Sequence, residues 1–286
     1  MNARLWKPLF SLGLIALASF IIYSNIYQNP FVFDGIREIQ ENSRIENLDH
    51  YFSWKVLRSS RPLADFSFAL NYHFGKRHVF GYHLVNILIH VVNGFLVYLL
   101  GGIVFRRSWQ ASPLDEAGPA RIPDKSVWLA SLFAALIFVC HPVQTQAVTY
   151  TVQRFASLAA LFYLASVLCY VQGRISAQVG GFPVRSWALY GASLVLGIMA
   201  LLSKLNAASL PGAILLSEWL LIDRSWAGWK RKLIVIAVGG VIFAAFLFYL
   251  TGVFQGEFHL ASMLEDVSQK MRETQKVGRW AYLYTQ

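Results

Sequence analysis

The sequence predicts an all-helical integral membrane protein with about seven transmembrane helices. Of its 286 residues, 56% are hydrophobic and only 14% are charged, whereas soluble domains carry roughly 25% charged residues. Long apolar segments recur along the chain, and most are close to the roughly 20 residues that a spanning helix needs. The formal net charge of +10 comes from scattered basic residues, so we expect no nucleic-acid partner and a lipid bilayer as the surroundings.

Seven segments are the predicted spans. They are 8–33, 79–105, 126–153, 155–173, 186–203, 207–222 and 233–256. The first is too long for a cleaved signal peptide and is interpreted as an uncleaved span. The sixth is the weakest because it contains Glu218, which we expect to pair with Arg224 or to extend to the interface.

The connections between these segments predict the topology. Basic residues are denser in one set of connections, which are 1–8, 106–125, 174–185 and 223–232. Dense basic residues mark the cytoplasmic side, so we expect a cytoplasmic N-terminus. The external pieces are then a long loop, a turn, a tight turn and a tail, at 28–78, 141–154, 203–206 and 255–286. The external pieces hold most of the polar residues that could carry chemistry.

Asp34 in the external loop 28–78 comes directly after the first span, in the segment FVFDGIREIQEN. A carboxylate at a membrane interface can take a proton from an acceptor hydroxyl or bind a divalent metal. The alternative is a helix N-cap, because the following residues are helix-like and Asp is a preferred cap. The same loop contains Arg61, a possible contact for an anion.

The second predicted span carries a polar stripe of four residues, which are His83, Asn86, His90 and Asn93. Their spacing places them within about 80° of one another on a helix. Polar groups inside a membrane face protein or water, so we interpret the stripe as hydrogen bonding between helices. His83, nearest the external end, is the member that could instead line a cavity.

The polar stretch 141–154 follows the apolar part of the third span, which His141 and Pro142 end. Polar backbone at this depth is tolerated where it lines a cavity. The candidate lining residues are His83, His141, Gln144, Thr145, Gln146, Thr149, Tyr150 and Gln153. Arg154 could bind a phosphate bidentately or extend to the interface. Lys204, at the end of the next helical hairpin, has the same two interpretations.

Five segments occur in an order that resembles the membrane half of one family. They are FVFDGIREIQEN, the run from RPLADFSF to FLVYLL, HPVQTQAVTYTVQRFASLAALFYL, LLSKLNAASLPGAILLSEWL and RWAYLYTQ. The family is that of the bacterial tetratricopeptide-repeat membrane proteins, related to the eukaryotic transmembrane and tetratricopeptide-repeat O-mannosyltransferases. Those proteins look like glycosyltransferases of the multi-pass GT-C fold.

The resemblance implies one GT-C-like membrane domain over 1–286, in a bacterial inner membrane. It implies transfer of a sugar, in some members mannose, from a polyprenyl-phosphate donor to a protein or glycan hydroxyl on the external face. Asp34 would be the general base or the ligand of a divalent metal. Arg154, Lys204 and Arg61 would hold the donor phosphate. Because the family continues with further spans and helical repeats after the segment that ends at Gln286, we expect the domain to be incomplete.

Three positions depart from the family pattern. Gly35, Gln146 and Leu205 stand where the pattern has acids. A hard cation takes several oxygen ligands, so their loss weakens a metal-dependent mechanism. The alternative is therefore a non-catalytic membrane module that binds a lipid-linked sugar or a protein partner.

Overall fold

The computed structural model describes residues 6–53, 61–110, 123–180 and 184–223. All of them belong to one compact unit, Met1–Ile236. Within these ranges the chain forms helices and no strand, which confirms the all-helical class. The predicted seventh span 233–256 and the external tail 255–286 lie outside the described residues and stay predictions.

The α-helices of the described residues are labelled in chain order. They are α1 (Trp6–Ile22), α2 (Pro62–Gly75), α3 (Val79–Gln110), α4 (Asp124–Cys140), α5 (Thr145–Thr149), α6 (Arg154–Gly180), α7 (Val184–Ser203) and α8 (Leu210–Ser217). Short 3-10 or π turns join them, at Ile36–Gln40, Ser43–Glu46, Leu48–Phe52, Pro142–Gln144, Thr151–Gln153, Leu205–Ser209 and Glu218–Ile222.

Four helical segments of the described chain are long and apolar enough to cross a membrane. They are Val79–Ser108, Thr151–Gln178, Val184–Ser203 and Leu205–Ile222. A fifth candidate is the pair Asp124–Cys140 and Pro142–Thr149, which bends by 51°. The apolar helix α1 is shorter, with 17 residues. The structure thus gives four or five candidate spans, and the expected number of seven is not confirmed.

Side-chain contacts group the connections at two ends of the helices. Three contacts lie at the end that carries the pieces expected in the cytoplasm. Arg107 of 106–125 bonds Gln178 of 174–185 (3.3 Å), Arg106 pairs with Asp124 within 106–125 (3.0 Å), and Lys7 of 1–8 lies over the ring of Trp128 in the first turns of α4 (5.7 Å). The loop 28–78 and the stretch 141–154 contact each other at the other end, through Asp34 and Tyr150. This grouping matches the expected topology. The assignment of either end to the cytoplasm stays a prediction.

The polar stripe of α3 is buried, and each of its members is at most 3% exposed. All four donate to backbone carbonyls of neighbouring segments. The pairs are His83 Nε2 with Asn29 (3.0 Å), Asn86 Nδ2 with Val148 and Thr151 (both 3.3 Å), His90 Nε2 with Val139 (3.2 Å) and Asn93 Nδ2 with Ser157 (3.0 Å). Several acceptors lie where helices end, and such carbonyls lack intrahelical donors. The interpretation as interhelical hydrogen bonding is confirmed.

Three helices approach closely at Gly94 of α3. A Cβ atom there would lie 2.5 Å from Cγ1 of Val139 in α4 and 3.0 Å from Cγ2 of Ile15 in α1. Small residues allow this approach in membrane bundles. The contact holds α4 beside α3 up to the bend at His141, where the polar stretch begins.

The loop 28–78 is partly helical where it is described, as expected, and it packs on the ends of α3 and α6. Ile39, Ile45 and Phe68 of the loop are at most 1% exposed. They share one apolar cluster with Tyr82 of α3 and Phe155 of α6. Burial of this kind stabilises the loop by about 25 cal/mol per Å² of apolar surface. The loop is therefore an ordered layer that can hold Asp34 in a defined place.

Candidate functional site

Asp34 and Tyr150 meet at the end of the bundle that carries the loop. The backbone N–H of Asp34 donates to the phenol oxygen of Tyr150 at 3.0 Å. The side chain of Asp34 is exposed. The next helical turn has Gly35 at its N-cap and no side-chain cap bond, so the capping role considered for Asp34 is not what the structure shows. Its carboxylate is accessible from solvent.

The electrostatics of Tyr150 follow from this contact. Burial raises the pKa of the phenol, the Asp34 N–H opposes this rise, and the negative charge of the Asp34 carboxylate adds to it. The phenol stays protonated at neutral pH, because its ordinary pKa is already about 10. It can therefore accept from the Asp34 backbone and donate its own hydrogen towards the carboxylate.

Phe33, directly before Asp34, has an unusual backbone conformation. Its φ is 49°, in a region that residues other than glycine rarely adopt. Its ring lies edge-on to Tyr150, with 6.4 Å between the centroids. Backbone strain of this kind costs about 1–3 kcal/mol and persists where the surroundings hold it. Tyr150 thus contacts both the strained residue and the backbone of Asp34, which follows it.

Arg154 is fully buried at the start of α6, with 0% exposure. Its guanidinium makes four hydrogen bonds, to Asn86 Oδ1 (2.7 Å), Asn71 Oδ1 (2.7 Å), the Ser67 carbonyl (3.2 Å) and the Tyr82 carbonyl (2.9 Å). Its Cζ also lies 4.7 Å from the ring centre of Phe68 and 5.6 Å from that of Tyr82. The alternative of an Arg that extends to the interface is wrong. The contact with a donor phosphate stays a prediction.

The two other predicted phosphate ligands are less enclosed. Arg61 is half-buried, and its Cζ lies 4.4 Å from the ring centre of Phe155. Lys204 is also half-buried, at the turn between α7 and Leu205–Ser209, where its carbonyl accepts from Ala207 at 3.1 Å. Its ammonium makes no hydrogen bond or ion pair with the described residues. Both cations can therefore take an anion.

Five of the predicted lining residues, His83, His141, Gln144, Gln146 and Gln153, differ in their exposure. His141 and Gln146 are exposed, and Gln144 and Gln153 are half-buried. His141 Nδ1 accepts from the Val143 N–H at 3.1 Å, so a neutral ring carries its hydrogen on Nε2. His83 is 1% exposed and is occupied with Asn29. The cavity role of these five residues stays a prediction.

The residues around Asp34 do not fit a divalent cation. Among the residues that the structure describes, no three His, Cys, Asp or Glu side chains gather as a metal site would require. Gly35 has no side-chain ligand atom, and Gln146 and Leu205 contribute no carboxylate. A hard cation takes six or more oxygen ligands. The divalent metal stays a prediction, and no step below uses one.

Asp65 of α2 is a candidate that no motif of the sequence indicated. Burial raises the pKa of its carboxyl to about 6, Glu38 adds to the rise, and Arg61 and Arg44 oppose it. The only local pattern that involves Asp65 is its spacing of four residues from Arg61, which is typical of an ion pair along a helix. Burial raises the pKa of the neighbouring Tyr51 to about 12, and the charge of Asp65 adds to this rise. The loop therefore contains a carboxyl group, that of Asp65, which titrates near pH 6 and interacts with Arg61, a predicted phosphate ligand.

Glu218 has a partner that the sequence did not predict. Its carboxylate accepts from Arg174 Nε at 2.9 Å and Nη2 at 2.7 Å, and from the Tyr170 hydroxyl at 3.1 Å. Glu218 is 5% exposed, so the extension to the interface considered above is wrong. Arg224, the other expected partner, lies outside the described residues.

The fold and the site together define a multi-pass helical membrane protein whose ordered loop layer carries a carboxylate. The chain is 30% identical to human protein O-mannosyl-transferase TMTC4 over 238 residues, 76% of this chain and 30% of that protein. It is 32% identical to protein O-mannosyl-transferase Tmtc2 of Drosophila melanogaster over 203 residues, 66% of this chain and 19% of that protein. It is 30% identical to protein O-mannosyl-transferase tmtc2 of Xenopus laevis over 181 residues, 58% of this chain and 19% of that protein.

No family model and no solved structure matches the chain. The chain spans 30% or less of the length of these relatives. The relatives are animal proteins, so the bacterial origin expected from the sequence is not shown by them. Their names support the resemblance to O-mannosyltransferases.

Proposed function

We propose that the chain is part of a membrane glycosyltransferase that moves a sugar from a polyprenyl-phosphate donor to a hydroxyl of a protein or glycan. The observation that carries the proposal is the similarity to protein O-mannosyl-transferases over 238 residues. The accessible Asp34 carboxylate beside Tyr150 supports a base for this chemistry. We place the reaction on the side of the membrane that bears the loop 28–78, the periplasmic side if the host is a bacterium.

In this proposal Asp34 is the general base. The acceptor hydroxyl attacks the anomeric carbon of the donor sugar and gives its proton to the carboxylate, while the bond from the anomeric carbon to the phosphate oxygen breaks. Tyr150 positions Asp34 through the hydrogen bond to its backbone N–H. A positioned base contributes about 10²–10⁴-fold to the rate of such a step.

Lys204 and Arg61 are the cations proposed for the leaving polyprenyl phosphate. Negative charge grows on its oxygen as the bond breaks, and fixed positive charges are worth most at that moment. The stacking of Arg61 on Phe155 leaves the edge of its guanidinium for hydrogen bonds, which suits a phosphate.

A second function is favoured by the neutral residues at three positions. Gly35, Gln146 and Leu205 replace acids that the resemblance implies. A chain that has the cations for the donor phosphate but lacks these acids would bind a lipid-linked sugar without transferring it. This alternative is a binding module in the same membrane.

One experiment separates the two functions. The full chain, purified in nanodiscs, is given polyprenyl-phosphate mannose labelled in the sugar, with a Ser/Thr-rich peptide as acceptor. Transfer that falls about 100-fold or more in Asp34→Asn supports the enzyme. Donor binding without transfer, unchanged in Asp34→Asn, supports the binding module. Ser43→Ala, an exposed change in the same loop, is the control. Neither binding nor transfer would overturn both.

A further inference from the structure

Arg154 lies at the junction of three segments that are far apart in the sequence. It reaches Ser67 and Asn71 of α2, and Tyr82 and Asn86 of α3. Its own backbone begins α6. The ring of Phe68 on α2 and that of Tyr82 on α3 both lie within 6 Å of its Cζ. Four hydrogen bonds and two ring contacts thus join the loop layer to two membrane helices.

Asn86 extends this network to Tyr150. The Nε of Arg154 donates to Asn86 Oδ1 at 2.7 Å, so the Nδ2 group of the same amide faces the other way. That group donates to the carbonyls of Val148 and Thr151, both at 3.3 Å. These carbonyls flank Tyr150 on both sides in the chain. The orientation of one amide, set by Arg154, therefore fixes the backbone that carries Tyr150.

We infer that Arg154 is a positioning residue that holds Tyr150, and through it Asp34, in the arrangement needed for sugar transfer. The inference rests on the proposed function for its catalytic part. It replaces a direct contact between Arg154 and the donor with an action through Asn86. The guanidinium is buried and already donates to four protein acceptors. This favours a positioning role over direct binding of a bulky lipid phosphate.

Lysine cannot replace Arg154 in this role. An ammonium is a point charge with three donors, whereas the guanidinium is a rigid plane with five N–H groups in fixed directions. Arg154→Lys keeps the positive charge but cannot bond Asn86, Asn71 and two carbonyls at once. A charge-only role would tolerate the change, and a positioning role would not.

The test is hydrogen–deuterium exchange of the full chain in nanodiscs, which does not depend on activity. In Arg154→Lys we expect exchange to quicken about tenfold or more in 31–37, 62–75 and 145–153, and to stay within about twofold in 168–178. Arg106→Lys is the matched control, since Arg106 is exposed at the opposite end. Asn71→Ala, a milder change, should quicken exchange in 62–75 alone.

Donor affinity and turnover give the second readout. We expect kcat of Arg154→Lys to fall about tenfold or more while the Kd for polyprenyl-phosphate mannose changes less than about threefold. Unchanged exchange with a Kd about tenfold weaker would overturn the inference and make Arg154 a direct ligand. If Arg154→Lys fails to fold, Asn86→Ala takes its place, because it removes the amide that joins Arg154 to the carbonyls of Val148 and Thr151. Unchanged exchange of 145–153 in Asn86→Ala would overturn the inference. A wild-type chain that neither binds nor transfers defeats the proposed function, and the exchange data still judge the network.

Discussion

The phenol oxygen of Tyr150 lies 3.0 Å from the backbone nitrogen of Asp34, which joins the polar stretch after α4 to the start of the external loop. The contact links two segments that are 116 residues apart. The break in the third predicted span is therefore part of the candidate site, because Tyr150 lies in the irregular backbone that follows the break.

Tyr150→Phe should reduce sugar transfer. The change keeps the ring that contacts Phe33 but removes the oxygen that accepts from the backbone N–H of Asp34. We expect kcat about tenfold lower and a free energy of unfolding about 1 kcal/mol lower, the usual value of one hydrogen bond. Tyr163→Phe, at an exposed hydroxyl 3.3 Å from Ser209, is the control. Wild-type turnover in Tyr150→Phe would contradict the role given to the phenol.

Restoring the three acids should increase activity. In the triple variant Gly35→Asp, Gln146→Glu and Leu205→Glu, two of the changes are at exposed residues, Gln146 and Leu205, and the third is at the buried Gly35. A Cβ atom at Gly35 would meet Phe31 at 3.5 Å and Val152 at 3.8 Å, ordinary contact distances.

We expect the triple variant to transfer sugar faster than the unmodified chain, and its gain to depend on a divalent cation, measured with lipid-linked mannose. Equal transfer by the two proteins, with or without the cation, would contradict the effect assigned to the three acids.

Asp65 should make the loop less stable as the pH rises. Burial raises its pKa to about 6, above the value of about 4 in an unfolded chain. The folded state therefore binds the proton more tightly, so this contribution is present below about pH 4 and lost as the pH passes 6. Asp65→Asn should raise the melting temperature at pH 8 and flatten its dependence between pH 4 and 7. Glu38→Gln should lower the pKa of Asp65, and an unchanged pH profile in Asp65→Asn would contradict the assignment.

Removal of one partner of the Arg174–Glu218 pair should lower the free energy of unfolding more than removal of both. Arg174→Met leaves a buried carboxylate without its guanidinium and should cost about 3–5 kcal/mol, whereas the double change Arg174→Met and Glu218→Met should recover most of this cost. Thermal unfolding in a mild detergent measures both. A double variant as unstable as the single one would show that the pair itself is the stabilising element.

The sidedness of the bundle can be read with single cysteines. In a background with Cys140→Ala and Cys169→Ala, we expect Ser43→Cys to react with an impermeant maleimide in intact cells. Ser126→Cys, exposed at the start of α4, should react only after permeabilisation, because the basic residues of that end predict a cytoplasmic location. Labelling of Ser126→Cys from outside would reverse the topology.

Composition and local periodicity predicted the helical class, most of the spans and the stripe from His83 to Asn93. These features depend on neighbours within one or two turns of a helix, and that information is local in the chain. The same reasoning predicted that His141 and Pro142 end a helix, as the 51° bend shows. The length of α1 was overestimated, because a segment without charges does not show where its helix ends.

The roles of the charged residues required the tertiary structure. At the start of an apolar segment an Arg can extend to water, bind a ligand or hold other helices, and the residue type is the same in each case. Arg154 is enclosed by acceptors that lie 68 to 87 residues earlier in the chain. Glu218 pairs with Arg174, 44 residues away. The energy of a charge depends on which groups surround it and how little water remains, and folding brings those groups together from distant parts of the sequence.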